Sequence, residues 1–126
     1  RGDMLMEAVT LHRRFPYAVL CGLFFLDKGA ATDNTPRRRS TFLNAHARLQ
    51  LFTNREDPAG REEQFERFYL LLLDASPKSV SIAAYRVGEP TKAIKLNALV
   101  DDLLQLVAKR NPDFYEFDKG ELKRAT

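Results

Sequence analysis

Three consecutive arginines, Arg37-Arg38-Arg39, stand directly before Ser40-Thr41, a pair suited to capping a helix. A guanidinium keeps its charge at every working pH and presents a fork of donors that matches phosphate oxygens. The first backbone N–H groups of the following helix would be free to donate to the same anion. Together these groups predict salt-dependent contact with DNA phosphates that carries little sequence information. Arg13, Arg14, Arg48 and Arg55 extend the candidate DNA-binding set. The charge distribution points the same way, because residues 1–50 hold eight Lys or Arg against four acids while the whole chain is only +3. A solvated loop accounts for the arginine run equally well.

Other chemistry is sparse. His12 and His46 each fall inside an expected helix, and nothing at metal-ligand spacing surrounds either, so no metal is expected through them. The single cysteine, Cys21, sits within an apolar run and reads as a small core residue in a reducing, cytoplasmic setting. There is no glycine-rich phosphate loop and no nucleophile elbow. Pro112-Asp113 followed by Glu121-Leu122-Lys123 superficially matches the PD...ExK string of metal-dependent nucleases. That chemistry needs carboxylates and a lysine on adjacent rigid strands around Mg²⁺. Here the residues fall in a charged tail that is expected to be mobile, so coincidence is the better account and none is taken as catalytic.

The elements that must position the arginines follow from periodicity. At 126 residues, 44% apolar and 29% charged, the chain suits one globular domain, and no stretch approaches the length of a membrane span. A helix is expected over Asp3–Arg14, capped by Asp3 and stopped by Pro16. The run Tyr17–Leu26 reads as a strand buried on both faces, and such a strand requires helices above and below. An exposed loop, residues 27–39, carries the arginines, and a second helix spans about 40–53 with Phe42, Ala45, Leu49 and Phe52 inward. The spacing of Phe65, Phe68, Tyr69, Leu72 and Leu73 predicts a third helix from Pro58 to about Asp74. Ser76-Pro77 opens a half-buried strand over Val80–Val87, Gly88-Glu89-Pro90 turns the chain, and residues 91–95 form a short hairpin partner. Leu96, Leu99, Val100, Leu103, Leu104 and Val107 mark a last helix over Asn97–Lys109.

One family pattern runs through these residues. Gly2-Asp3, Leu11-His12, Phe15-Pro16, Ala18-Val19-Leu20 and Gly22 to Leu26 together resemble the region that follows the catalytic motif in type II restriction endonuclease-like proteins of the PD-(D/E)xK superfamily. Arg39-Ser40 with Phe42 and His46, then Arg55, Glu66 and Arg110-Asn111-Pro112, extend the likeness over most of the chain as a loose pattern. The resemblance implies an α/β domain with a restriction endonuclease-like mixed sheet, a central buried strand at Tyr17–Leu26 and helices on both faces. It also implies that residues 1–126 are the carboxy-terminal part of a larger nuclease-like domain. The metal-binding acids and the lysine would then lie before Arg1, so Mg²⁺ would be held by residues outside this chain. The absence of an initiator methionine agrees with a fragment or a processed product. Mg-dependent hydrolysis of DNA would depend on those upstream residues, with Arg1 and Glu7 at most in support. The competing expectation is a non-enzymatic interaction module that forms a homodimer through the apolar face of Asn97–Lys109.

Overall fold

A computed structural model describes residues 2–76 and 78–125 of the chain. Helix α1 (Gly2–Arg14) leads to strand β1 (Cys21–Asp27), a one-turn 3₁₀ segment (Lys28–Ala31) and helix α2 (Thr41–Leu49). Strands β2 (Arg67–Ala75), β3 (Val80–Arg86) and β4 (Ala93–Ile94) precede helix α3 (Leu96–Arg110), and a hairpin of β5 (Tyr115–Asp118) and β6 (Glu121–Arg124) ends the fold. The roles expected of the Asp3, Met4 and Leu5 side chains, and of Arg1 and Pro77, lie outside the described residues.

The main sheet has the order β1-β2-β3-β4, with β1 parallel to β2 and the remaining pairs antiparallel. It is therefore a mixed α/β sheet with helices on both faces, as the long apolar runs require. On one face, Phe68, Leu70 and Leu72 pack with Ala8 of α1 and Phe42 and Leu49 of α2. On the other, Tyr69 and Leu71 pack with Leu99 and Leu103 of α3.

The central strand is not the one expected. Tyr17–Leu26 yields a shorter strand, β1, that forms the edge of the sheet, with Leu23 and Phe25 about half exposed. Its inner neighbour β2 is buried from Arg67 to Leu72 and fills the central position. The helix expected from Pro58 to Asp74 is absent, and turns fill residues 57–64 ahead of β2. Phe65, Phe68, Tyr69, Leu72 and Leu73 match helical spacing, but Leu70 and Leu71 between them leave no polar face for a helix to present. A continuous apolar run shorter than three helical turns suits a strand covered on both sides better.

Gly22 shows how closely β1 sits on β2: a Cβ built there would lie 2.4 Å from the Phe68 ring. The segment after α3 is also ordered differently from expectation. It forms a hairpin closed by Lys119 and Gly120, both at positive φ, rather than a mobile tail.

Candidate functional site

The arginine loop is held in shape by its own backbone and by Asp33. Thr35 and Arg38 exchange two backbone hydrogen bonds, at 2.9 and 3.2 Å, around Pro36 and Arg37, so Arg37 stands at the tip of a tight turn. Proline in the second position presets the backbone angle that this turn needs. The Asp33 carboxylate accepts from the backbone N–H of Thr41 at 2.7 Å and from its hydroxyl. These two bonds hold the Asp33 carboxyl below its usual range. Ser40 caps α2 by accepting from the N–H of Leu43 at 3.2 Å.

Asp33 thus already serves as an anion at the start of α2, where a phosphate was expected to meet free N–H groups. The N–H groups of Thr41 and Leu43 in the first turn of α2 are thus spent on Asp33 and Ser40. Arg38 makes an ion pair with Asp33 at 3.4 Å. Arg37, Arg39 and Arg48 are exposed and make no ion pair among the described residues.

Two adjoining depressions share Arg38. One, of about 430 Å³, is walled by Arg37, Arg38, Arg39, Pro36 and Leu43. The other, of about 370 Å³, lies between β1 and α2 and is lined by Phe24, Leu26, Ala45 and Leu49 and by Arg38, Arg48, Thr41 and Asn44, all of which present almost only apolar surface to it. Arg48 arrives there because it lies on the outward side of α2, while Phe42, His46 and Leu49 turn into the core. Phe24 is 38% exposed because β1 is an edge strand. Reading the run as doubly buried hid this residue, and no signal in the sequence separates an edge strand from a central one here.

The other candidate arginines lie elsewhere. Arg13 is exposed at the end of α1 and pairs with Glu62 at 2.6 Å. Arg14 lies beside Phe15, Pro16 and Val107, away from the arginine loop. Arg55 is 1% exposed, which takes it off any surface that a phosphate could touch. Its guanidinium donates to Glu66 Oε2 at 2.6 Å, to the Pro16 carbonyl and to the Pro58 carbonyl.

Glu66 is the hub of a buried cluster. Its Oε1 accepts from His12 Nε2 at 2.9 Å and from the Leu20 N–H at 2.8 Å. Its Oε2 accepts from Arg55 and from Arg110 Nη1 at 2.9 Å. Burial pushes the Glu66 carboxyl up, but the bonds from Leu20, Arg110, Arg55 and His12 outweigh it and hold the group below its ordinary value. The other ring nitrogen of His12, Nδ1, faces the Glu62 carbonyl at 2.7 Å. Several residues that carry the family resemblance, His12, Pro16, Arg55, Glu66 and Arg110, thus converge on one internal lattice with no open face. A second lattice joins Arg67, Glu56, Asp102 and the Tyr69 hydroxyl, and burial followed by the hydrogen bond to Asp102 pushes the Tyr69 hydroxyl up.

His46 is only half occupied, because its buried Nε2 has no hydrogen-bond partner among the described residues. His46 Nδ1 accepts from the Gly88 N–H at 3.0 Å, and burial holds its pKa below the ordinary value. Cys21 packs beside Tyr69 and Leu71, and burial, then the Asp102 charge, push its thiol up to about 11. Glu121 and Lys123 lie on exposed β6, opposite Asp118 and Glu116, and Lys123 pairs with Asp118 at 3.7 Å. Among the described residues no group of three or more His, Cys, Asp or Glu side chains is placed to hold a metal ion. No helix among them is long and apolar enough to cross a membrane. Comparison of the chain with known protein families, with characterised proteins and with solved structures finds no match.

Proposed function

We propose that this chain is a DNA-binding domain of restriction endonuclease-like character that meets phosphates through Arg37, Arg38, Arg39 and Arg48. The observation that carries this reading is that Arg37, Arg38, Arg39 and Arg48 line two depressions that share Arg38, and that Asp33 is the one acid paired with any of them among the described residues. Such a surface favours a polyanion and binds it with a steep dependence on salt.

The topology leaves room for the nuclease-like side of the reading. Helices α1 and α2 cover the same face of the sheet, and parallel crossovers are almost always right-handed. A strand preceding α1 and joined to β1 by such a crossover would therefore pair with the open edge of β1. That is where metal-binding acids supplied from upstream would stand beside the domain. Phosphodiester hydrolysis with Mg²⁺ would belong to such residues, and no side chain described above is assigned a catalytic role.

Fluorescence anisotropy with duplex DNA at low and moderate salt tests the proposal. Binding is expected at low salt, to weaken as salt rises, and to be lost when Arg37, Arg38 and Arg39 become alanine. No binding at low salt, or binding indifferent to the triple substitution, overturns it. The competing reading, a homodimerising scaffold, gains a second candidate surface. Leu99 and Leu103 of α3 are spent against this chain's own fold, while Leu96 and Val100 of the expected helix face stay about half exposed, as do Leu23 and Phe25 on the open edge of β1. A dimer seen by light scattering, with no affinity for DNA, would favour that alternative.

A further inference from the structure

We infer that the open edge of β1 seats a second copy of this chain, the two β1 strands pairing antiparallel about a dyad at Phe24. This goes beyond the DNA reading, and neither depends on the other.

β1 has one neighbour, β2, and its other edge is unpaired among the described residues. The Leu20 carbonyl accepts from the N–H groups of Glu66 and Arg67 and therefore points towards β2. Backbone groups alternate along a strand, so those of Cys21, Leu23 and Phe25 point out from the open edge. Edges that stay alone are ordinarily blunted by a charge, a proline or a bulge. β1 has none of these from Cys21 to Leu26, and its register against β2 runs unbroken.

The strand is complementary to itself, which favours a second copy over an unrelated strand. Outward groups must meet outward groups, and the register that pairs most of them sets Leu23 opposite Phe25 of the other copy, Cys21 opposite Asp27, and Phe24 opposite Phe24. On the α2 side the two Phe24 rings then meet at a close, non-hydrogen-bonded pair, and Leu26 falls opposite Gly22, which has no side chain to oppose it. On the α3 side Leu23 meets Phe25, each about half exposed in the single chain. Every facing pair from Gly22 to Leu26 is apolar. The depression beside Phe24, lined by Leu26, Ala45 and Leu49 and almost wholly apolar, suits the ring of the other copy at its mouth.

The area sets the expected strength. Phe24 and Phe25 leave about 180 Å² uncovered per copy, taking an aromatic residue as about 200 Å². That is a fraction of the roughly 800 Å² per partner in a standard interface, and the strand backbone and the walls of the depression add to it. The expected dimer is therefore small, with a micromolar dissociation constant, and comes apart on dilution. Its dyad stands perpendicular to the sheet, so the two four-stranded sheets become one and both arginine loops lie on the same side. A strand upstream of α1 would need the same edge, so the two occupants exclude each other.

Sedimentation velocity of the 126-residue chain from micromolar to submillimolar concentration tests the inference. The wild type is expected to pass from monomer to dimer. Leu23→Lys and Phe25→Glu each set a charge against an apolar side chain twice per dimer and should weaken it about tenfold or more. Both positions are surface positions, and unchanged circular dichroism of each variant shows that it still folds. An equimolar mixture of the two variants should dimerise again, because this register brings the two opposite charges face to face. Val100→Lys, on the exposed side of α3, should dimerise as the wild type does. A wild type that stays monomeric throughout overturns the inference and leaves the edge to an upstream strand. A dimer that survives Leu23→Lys and Phe25→Glu, or is lost in Val100→Lys, places the contact elsewhere and overturns it too. A mixture that stays monomeric overturns the register. None of these measurements involves DNA, so this inference and the DNA reading fail separately.

Discussion

Replacing Glu66 with glutamine should be among the most damaging single-atom changes available in this protein. The carboxylate receives four hydrogen bonds, two on each oxygen, and two of them come from buried guanidinium groups. A glutamine that keeps its oxygen towards His12 and Leu20 turns its NH₂ towards Arg55 and Arg110, so donors face donors. Two charge-assisted bonds are lost, each worth about 1.5–3 kcal/mol. The arginines cannot relax into water, because they are 1% and 6% exposed. Breaking a buried pair in this way costs about 3–5 kcal/mol, a large share of the roughly 5–15 kcal/mol that holds a domain folded. With a urea dependence of about 1–3 kcal/mol per molar, the midpoint should fall by roughly 2 M. The same variant should also lose part of the acid sensitivity. The folded Glu66 carboxyl titrates below its unfolded value of 4.5, so the unfolded chain takes up the proton first. Its stabilisation is complete above that value and fades as pH falls through the folded pKa, and Glu66→Gln removes this contribution to the slope. Urea melts of both proteins at neutral and acid pH measure the two effects. A midpoint shift equivalent to less than about 1 kcal/mol would refute the reading of Glu66 as a buried anionic hub.

Three further outcomes follow from the packing. Gly22→Ala pushes a methyl into the Phe68 ring at 2.4 Å and should cost about 1–3 kcal/mol, read as a lower thermal midpoint. Cys21, with its thiol pushed up to about 11, should react with a disulfide reagent near pH 8 about 100-fold more slowly than in the urea-unfolded chain; equal rates would contradict its burial. His46 titrates below its usual 6.5 when folded, so its stabilisation is complete above that value and declines on acidification. Protonation would also break its bond to the Gly88 N–H, and His46→Gln should therefore show a smaller loss of thermal midpoint between about pH 7 and about pH 5.

The helices were the most legible part of the chain. Ser40 ahead of Phe42 and Leu49 marked α2, and Leu99, Leu103 and Val107 marked α3, because an amphipathic stripe records which side is wet. Strands covered on both sides lose that record. In Phe68–Leu73 every position is apolar, so the same letters satisfied a helical template and concealed the central strand. In Cys21–Leu26 an equally apolar run belongs to the sheet edge, since local composition does not say which neighbours a strand will find. The candidate site was legible in its charges and not in its partners. Arg37, Arg38, Arg39 and Arg48 do share one surface, whereas Arg55 has the same chemistry and is consumed inside by Glu66, a residue 11 positions away. Asp33 was counted as one acid among four, yet its bonds to Thr41 decide how the loop meets α2.

The Glu66 cluster also determines how the molecule can come apart. Its donors come from α1, from the segment entering β1, from the loop before β2 and from the last residue of α3, so each is bonded to a carboxylate the others share. Terminal helices are ordinarily the cheapest pieces to detach. Here, peeling away either α1 or the end of α3 would admit water to a site on which the other three segments depend. Fraying at one end is thereby tied to the rest of the domain, and hydrogen exchange at His12 and Arg110 should report the same opening event rather than two.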